Sequence, residues 1–277
     1  MNVYMIFPYQ EKYLRMCESL EKINYCEINI LGDFEKINKI IKDKKIKLNS
    51  KITDIKTEDT LINYMNLKKT KKSILVFGDI DEVYQKQIIK KDKIDQSVNH
   101  IYVLDIPKLK HFIFVNTTYT NRNYDMTEKR RSMTSLYRYM NLLGITKANV
   151  ALITSDTRKM ETIEYSLIKM ILKEKLNNSI SFLNPCRISD LFDIYSKYNI
   201  FISNINVMMF KNADVTKLFI ELLQLFTTYR IGVICELNDT YYIDAKKIKD
   251  EENIIFTILL ISKCLSYKDD YVKTSNQ

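Results

Sequence analysis

Apolar residues recur along this chain with two alternating periods, and the pattern is densest between residues 119 and 175. A polar loop ends at Asp125. Met133, Leu136, Tyr137, Met140 and Leu143 then follow three or four apart, the spacing of one helix face. Gly144 stands just past the last of them, where a left-handed helix cap suits glycine. Residues 150–154 are apolar, β-branched and of strand length. Residues 155–159 are polar, and Ile163, Leu167, Met170 and Ile171 mark a second amphipathic helix. Helix, buried strand, polar loop and helix make the repeating unit of a parallel sheet. Ligands bind such sheets beyond the carboxyl ends of the strands, which is where residues 155–159 fall.

The same reading predicts strands over 4–8, 27–31, 51–55, 73–77, 100–106, 111–115, 179–183, 199–203 and 232–235. It predicts helices over 11–23, 34–41, 60–67, 83–89, 188–195, 214–229 and 252–265. Leu14, Cys17 and Leu20 form the inner face of the first helix, and Ile37, Ile40 and Ile41 that of the second. Leu218, Leu222, Leu225 and Phe226 are expected to point inward from helix 214–229. Residues 90–97 read as a charged, exposed connection, 184–185 as a turn, and 266–277 as a polar, frayed tail. The 232–235 strand is expected to be the last of the core. The whole is an α/β chain of two lobes, with mostly parallel sheets and flanking helices. Its main region is expected over 1–75 with 120–277, and 76–119 as part of a second lobe or an insertion.

Length and composition narrow this further. The chain has 277 residues and is 46% hydrophobic, enough for one large or two medium domains. No apolar run approaches the ~20 residues of a membrane helix. The first residues, MNVYMIFPYQEKY, lack the pattern of a signal peptide, so a cytoplasmic protein is expected, away from membranes. Five cysteines are scattered and only two histidines are present; no ligand spacing joins them, so no metal site is expected and the thiols read as reduced and buried. Net charge is +9, which suits an anionic ligand. No basic stretch interleaved with aromatics supports nucleic-acid binding. Four glycines leave no phosphate-binding loop of the GxxxxGK or GxGxxG kind. A phosphate site must then use helix N-termini and side chains. Ser155, Thr157, Arg158 and Lys159 are the best such set: hydroxyls and cations after a strand and ahead of a helix.

Several short motifs, in fixed order over nearly the whole chain, resemble the phosphate acetyltransferase and phosphate butyryltransferase family. INILGDFEKINKII resembles an early strand ending in Val-Gly-Asp with its helix. ILVFGDID stands where the family has a strand running into Met-Lys-Gly. NHIYVLDIP resembles a Ser-His segment and keeps His100. VNTTYTNRNYDMTEK resembles the Thr-Asp-X-X-X-Asn stretch and keeps Asn121 and Lys129. LLGITKANVALITS, followed by KMETIE, resembles Leu-Gly-Ile, a Val-Ala-Val-Leu-Ser strand and a Lys-Met segment. NPCRISD stands where the family has Gly-Pro-Leu.

The resemblance implies a two-domain acyltransferase that moves an acyl group between coenzyme A and phosphate, as a homo-oligomer, often a dimer. It implies no metal and no covalently bound cofactor; acyl-CoA enters only as substrate. The chemistry needs cations for phosphate, a donor for the carbonyl oxygen and a base for the thiol. The sequence departs from the family where anions are handled. Leu237-Asn238 stands for the Ser-Arg pair, Phe77 for the lysine of Met-Lys-Gly, Thr117 for the aspartate of Thr-Asp, and Met208-Met209 for a Gly-Asn pair. An arginine that grips phosphate with two nitrogens is not replaced by a neutral asparagine. Scaffold positions kept and anion positions lost imply a divergent member with weakened or lost activity, or a non-catalytic one that binds CoA-like anions or acts by assembly. Gly78 is expected to line the ligand cleft or to make an ordinary turn. His100 is expected at the domain interface or as a structural histidine, and Asn121 near phosphate or the CoA pyrophosphate. Asp239, after the expected last strand, is either the base for the thiol or a turn aspartate.

Overall fold

A computed structural model describes residues 1–68, 72–89, 99–107, 109–118, 126–153, 166, 169–170, 179–183, 186–189, 205–210, 213–237 and 240–274. The chain folds into two compact units. Unit 1 comprises Met1–Gln96 and Ile234–Ser266; unit 2 comprises Ser97–Val233 and Tyr267–Gln277. These boundaries differ from the expected division into 1–75 with 120–277 and 76–119: residues 76–96, about half of the expected insertion, belong to unit 1, and residues 120–233 join the rest of it in unit 2.

Unit 1 opens with β1 (Asn2–Ile6), α1 (Glu11–Ile23), β2 (Glu27–Gly32), α2 (Phe34–Asp43), β3 (Lys51–Asp54), α3 (Glu58–Leu67), β4 (Ser73–Phe77) and α4 (Glu82–Ile89). The strands pair in parallel in the order β3-β2-β1-β4. The run from β1 through β2 to β3 goes one way, and the chain then crosses back to set β4 on the other side of β1. All five residues of β4 are buried, as a strand covered on both faces requires. Tyr13, Leu14, Met16, Cys17 and Leu20 of α1 are buried, which bears out the expected face of that helix. Asp33 caps α2 by accepting from the backbone N–H groups of Glu35 and Lys36 at 3.0 and 3.1 Å.

In unit 2 come β5 (Asn99–Asp105), β6 (Ile113–Thr118), α5 (Met126–Leu142), β7 (Ala148–Ile153), β8 (Ile180–Phe182), β9 (Val207–Phe210) and α6 (Ala213–Phe226). β5 and β6 form an antiparallel pair, and β6, β9, β7 and β8 continue in parallel. Gly144 closes α5 at φ +83°. The N–H of Gly144 donates to Asn141 and that of Ile145 to Met140, the paired bonds of a glycine-capped helix end. Leu104, Ile113, Val115, Ala151, Met208, Phe210, Phe219 and Leu223 belong to one core.

β10 (Arg230–Leu237) carries the chain from unit 2 back to unit 1. There β11 (Thr240–Asp244) pairs antiparallel with its end and parallel with β4. A 3-10 turn (Ala245–Lys247) and α7 (Glu251–Thr274) follow. Among the described residues no helix is long and apolar enough to cross a membrane.

Four expectations need correction. The strand over 232–235 is not the last, since β11 follows it. The tail is helical to Thr274 rather than frayed from 266, because it contains no glycine or proline to stop the helix. Leu218, Leu222, Leu225 and Phe226 point outward from α6, while Thr216, Phe219, Ile220 and Leu223 pack inward. Met170, expected on a buried helix face, is also exposed. The strand expected over 199–203 and the connection over 90–97 lie outside the described residues. β9 was not foreseen.

Candidate functional site

The topology of unit 1 points to a candidate site. Where strand order reverses in an open parallel sheet, the loops leaving the two flanking strands diverge and open a crevice beyond their carboxyl ends. In unit 1 that point lies between β1 and β4. There the chain is tightly laced. Phe7 takes a left-handed φ of 49°, and the N–H groups of Gly78 and Asp79 donate to the carbonyls of Ile6 and Phe7, each at 2.8 Å. A Cβ on Gly78 would lie 2.6 Å from the Phe7 carbonyl oxygen and 2.8 Å from that of Ile6. Gly78 is therefore present for close backbone approach, and its place at the reversal point bears on the cleft only through the residues it positions.

Asp79 follows directly. Gln10, at the start of α1, donates its amide nitrogen to one Asp79 carboxylate oxygen at 2.5 Å. The other oxygen is buried, and so is the hydroxyl of Tyr13 one turn into α1. Neither has a hydrogen-bond partner among the described residues. Burial, then the charges of Asp79 and Asp244, push the Tyr13 hydroxyl up to about 12. A buried donor and a buried acceptor at one crevice suit a group that both accepts and donates, such as a hydroxyl, an amide or a water.

The rest of this edge is acidic. Asp33, Asp54, Asp79, Asp81, Glu82 and Asp244 all stand at or just beyond the carboxyl ends of the parallel strands. Two of the nearby cations are engaged. Lys246 donates to the Ile80 carbonyl. Lys247 contacts Glu82 at 3.0 Å and Asp244 at 3.2 Å. Its hydrogen bond holds the Glu82 carboxyl below the usual range. Phe77, at the position where the family resemblance expects lysine, is a buried part of β4 stacked on Tyr242, with ring centroids 6.2 Å apart. Leu237 ends β10 and pairs with Thr240. Met208 and Met209 are buried inside β9. Among the described residues no group of three or more His, Cys, Asp and Glu is placed to hold a metal ion.

In unit 2 the strand order reverses between β7 and β9. β7 ends at Ile153, just before the stretch that carries Ser155, Thr157, Arg158 and Lys159. That stretch, Asn121 and Asp239 lie outside the described residues. His100 sits in β5 opposite Thr117 and meets Tyr102 edge to face, with ring centroids 6.4 Å apart. His111, which sequence reasoning passed over, bonds through its ring nitrogen to the Ile205 carbonyl at 2.8 Å. It fastens the start of β6 to the approach of β9. Tyr13 and Gln10 were also passed over, because their role depends on a strand order that periodicity does not give.

No protein-family model matches this chain, and no curated protein matches it either. Solved structures do. A branched-chain phosphotransacylase from Enterococcus faecalis V583 superposes with a TM-score of 0.69 at 12% identity, over 96% of this chain and 99% of that one. A phosphotransacetylase from Streptococcus pyogenes gives 0.66 at 13% identity, over 97% of this chain and 94% of that one. A 4-hydroxythreonine-4-phosphate dehydrogenase from Burkholderia phymatum gives 0.55 at 8% identity, over 95% of this chain and 98% of that one. The chain is thus an α/β protein with the fold of the phosphotransacylases. That is the level at which the resemblance read in its sequence holds.

Proposed function

We propose that this chain is a divergent phosphate acyltransferase-like protein that binds an anionic ligand of the acyl-CoA kind and in which transfer of the acyl group to phosphate is weakened or lost. In that transfer a phosphate oxygen attacks the thioester carbonyl, the carbon–sulfur bond breaks, and the CoA thiolate leaves and takes up a proton. Phosphate must be held by cations against its own charge. The observation that carries the reading is the acidic carboxyl edge of unit 1. Two of its lysines, Lys246 and Lys247, are already bonded to Ile80, Glu82 and Asp244, and Phe77 and Asn238 stand where the resemblance calls for cations. The phosphotransacylase fold over nearly the whole chain supports descent from such an enzyme. We assign the remaining anion binding to Ser155, Thr157, Arg158 and Lys159, with Asn121 beside the same ligand and His100 as a strand residue supporting it.

Calorimetric titration with coenzyme A and with inorganic phosphate tests this. Coenzyme A is expected to bind, and the double variant R158A/K159A to bind about tenfold more weakly, the loss of ~1.4 kcal/mol. Phosphate alone is expected to give no binding heat. Absence of binding by coenzyme A and by acyl-CoA would remove the ligand half of the proposal. Tight phosphate binding would remove the other half.

A further inference from the structure

Gln10 is the N-cap residue of α1, yet its side chain makes no capping bond. The carboxamide goes to Asp79 instead. Tyr13, one turn further on, is fully buried, and its phenol feels the charges of Asp79 and Asp244. Its hydroxyl has no hydrogen-bond partner among the described residues, and neither has the second carboxylate oxygen of Asp79. Buried polar atoms are costly to leave unpaired, and these two stand at the β1–β4 reversal, where an open sheet takes its ligands. The chemistry of the ligand follows by elimination. An anion would meet Asp79, Asp81, Glu82 and Asp244 at the ends of β4 and β11 and be repelled. An ammonium or guanidinium donates but cannot accept, so the Tyr13 proton would still lack an acceptor. A peptide-like amide fixes its donor and acceptor on opposite edges of one plane, whereas Tyr13 lies close enough to Asp79 to feel its charge. Hydroxyls on adjacent carbons both donate and accept, and their protons turn to suit the site.

We propose that the crevice at the β1–β4 reversal of unit 1 binds the adjacent hydroxyls of a neutral pentose. One hydroxyl accepts from Tyr13, and its neighbour donates to the second carboxylate oxygen of Asp79, while Gln10 holds the first. Carboxylates hold ribose hydroxyls in other open, mostly parallel sheets. Gln10 is exposed and the two unpaired atoms are buried, so the ligand enters past the Gln10 side chain. The pentose is either a free sugar or the ribose of an uncharged nucleoside. Every residue of this site belongs to unit 1, and none of them is among Ser155, Thr157, Arg158 and Lys159, so the site stands or falls apart from the acyl-CoA reading.

Saturation-transfer NMR on the full chain is the test, with D-ribose, adenosine and the dideoxy analogue of adenosine that lacks the two adjacent hydroxyls. Ribose or adenosine is expected to receive saturation from the protein, and the two arms tell the free sugar from the nucleoside. The dideoxy analogue is expected to receive none, and inorganic phosphate is expected not to displace the bound ligand. Y13F and D79N each remove one of the two partners and are expected to weaken binding about tenfold, as loss of a hydrogen bond in a buried site does, with an unchanged far-ultraviolet circular dichroism spectrum. Should one of them fail to fold, the other carries the same expectation. Y64F, on α3, and the double variant R158A/K159A are expected to bind as the wild type does. Silence from both ribose and adenosine overturns the proposal and leaves Tyr13 and Asp79 to a buried water. Equal binding of adenosine and its dideoxy analogue overturns it too, as does binding that survives Y13F and D79N or that phosphate displaces.

Discussion

Gly78 shows how one residue constrains the crevice of unit 1. The two carbonyls that a Cβ would strike belong to the backbone of β1 and its exit, and neither can rotate away. G78A must push β4 from β1 and is expected to lower stability by about 1–3 kcal/mol, the usual range for overpacking. A lower urea midpoint with unchanged slope would record it. Tyr13 makes a different prediction. Its hydroxyl is held up to about 12, whereas an unfolded tyrosine ionises near 10. The stabilising contribution is complete below pH ~10 and falls away as pH rises towards 12. Y13F should make that alkaline fall in melting temperature shallower. At neutral pH it should cost little, since it removes a buried hydroxyl that lacks a partner. The thiols follow the same logic. Burial pushes Cys235 up to about 12 and raises Cys17 further. Cys186 and Cys264 are buried as well, and only Cys26 is part-exposed. Ellman's reagent at pH 8 is expected to reach Cys26 alone in the native protein and all five cysteines after denaturation. Fast labelling of several thiols would contradict the described burial.

Helices and strands were unequally readable. Helix α5 was legible because apolar spacing and a capping glycine agree, and β4 because an unbroken apolar run of four, Ile74 to Phe77, closed by Gly-Asp has few other readings. The strand β11 was hidden in Thr-Tyr-Tyr-Ile-Asp, too short and too polar at its ends to stand out. It is fixed by pairing with β4 and with the end of β10, a long-range term that sequence pattern does not carry. The α6 error is more instructive. Both of its faces are apolar, so periodicity marks two stripes and cannot say which one the rest of the chain covers. The cap of α2 is a local feature and was readable as Gly32-Asp33. D33A removes two side-chain bonds to helix N–H groups and is expected to cost about 1 kcal/mol, read as a lowered melting temperature with little change in helix content.

At the scale of the molecule, the α/β fold was legible because alternating periods recur for most of the chain. The site was legible only in part. Gly78 and Asp79 follow a clear strand. The pairing of that strand end with Gln10 and Tyr13, and the acidity of the whole edge, arise from strand order alone. The proposed loss of transfer rests on the fold of the phosphotransacylases together with the acidity of the unit 1 edge. The measurement that tests this most directly is phosphate-dependent release of the CoA thiol from acetyl- and butyryl-CoA at high concentrations of purified protein. The account predicts release no greater than a small fraction of enzyme-typical turnover, with D239A leaving it unchanged. Saturable, phosphate-dependent turnover at ~1 per second or faster, the low end of ordinary enzymes, abolished by D239A or R158A, would show phosphate chemistry intact on these residues and contradict it.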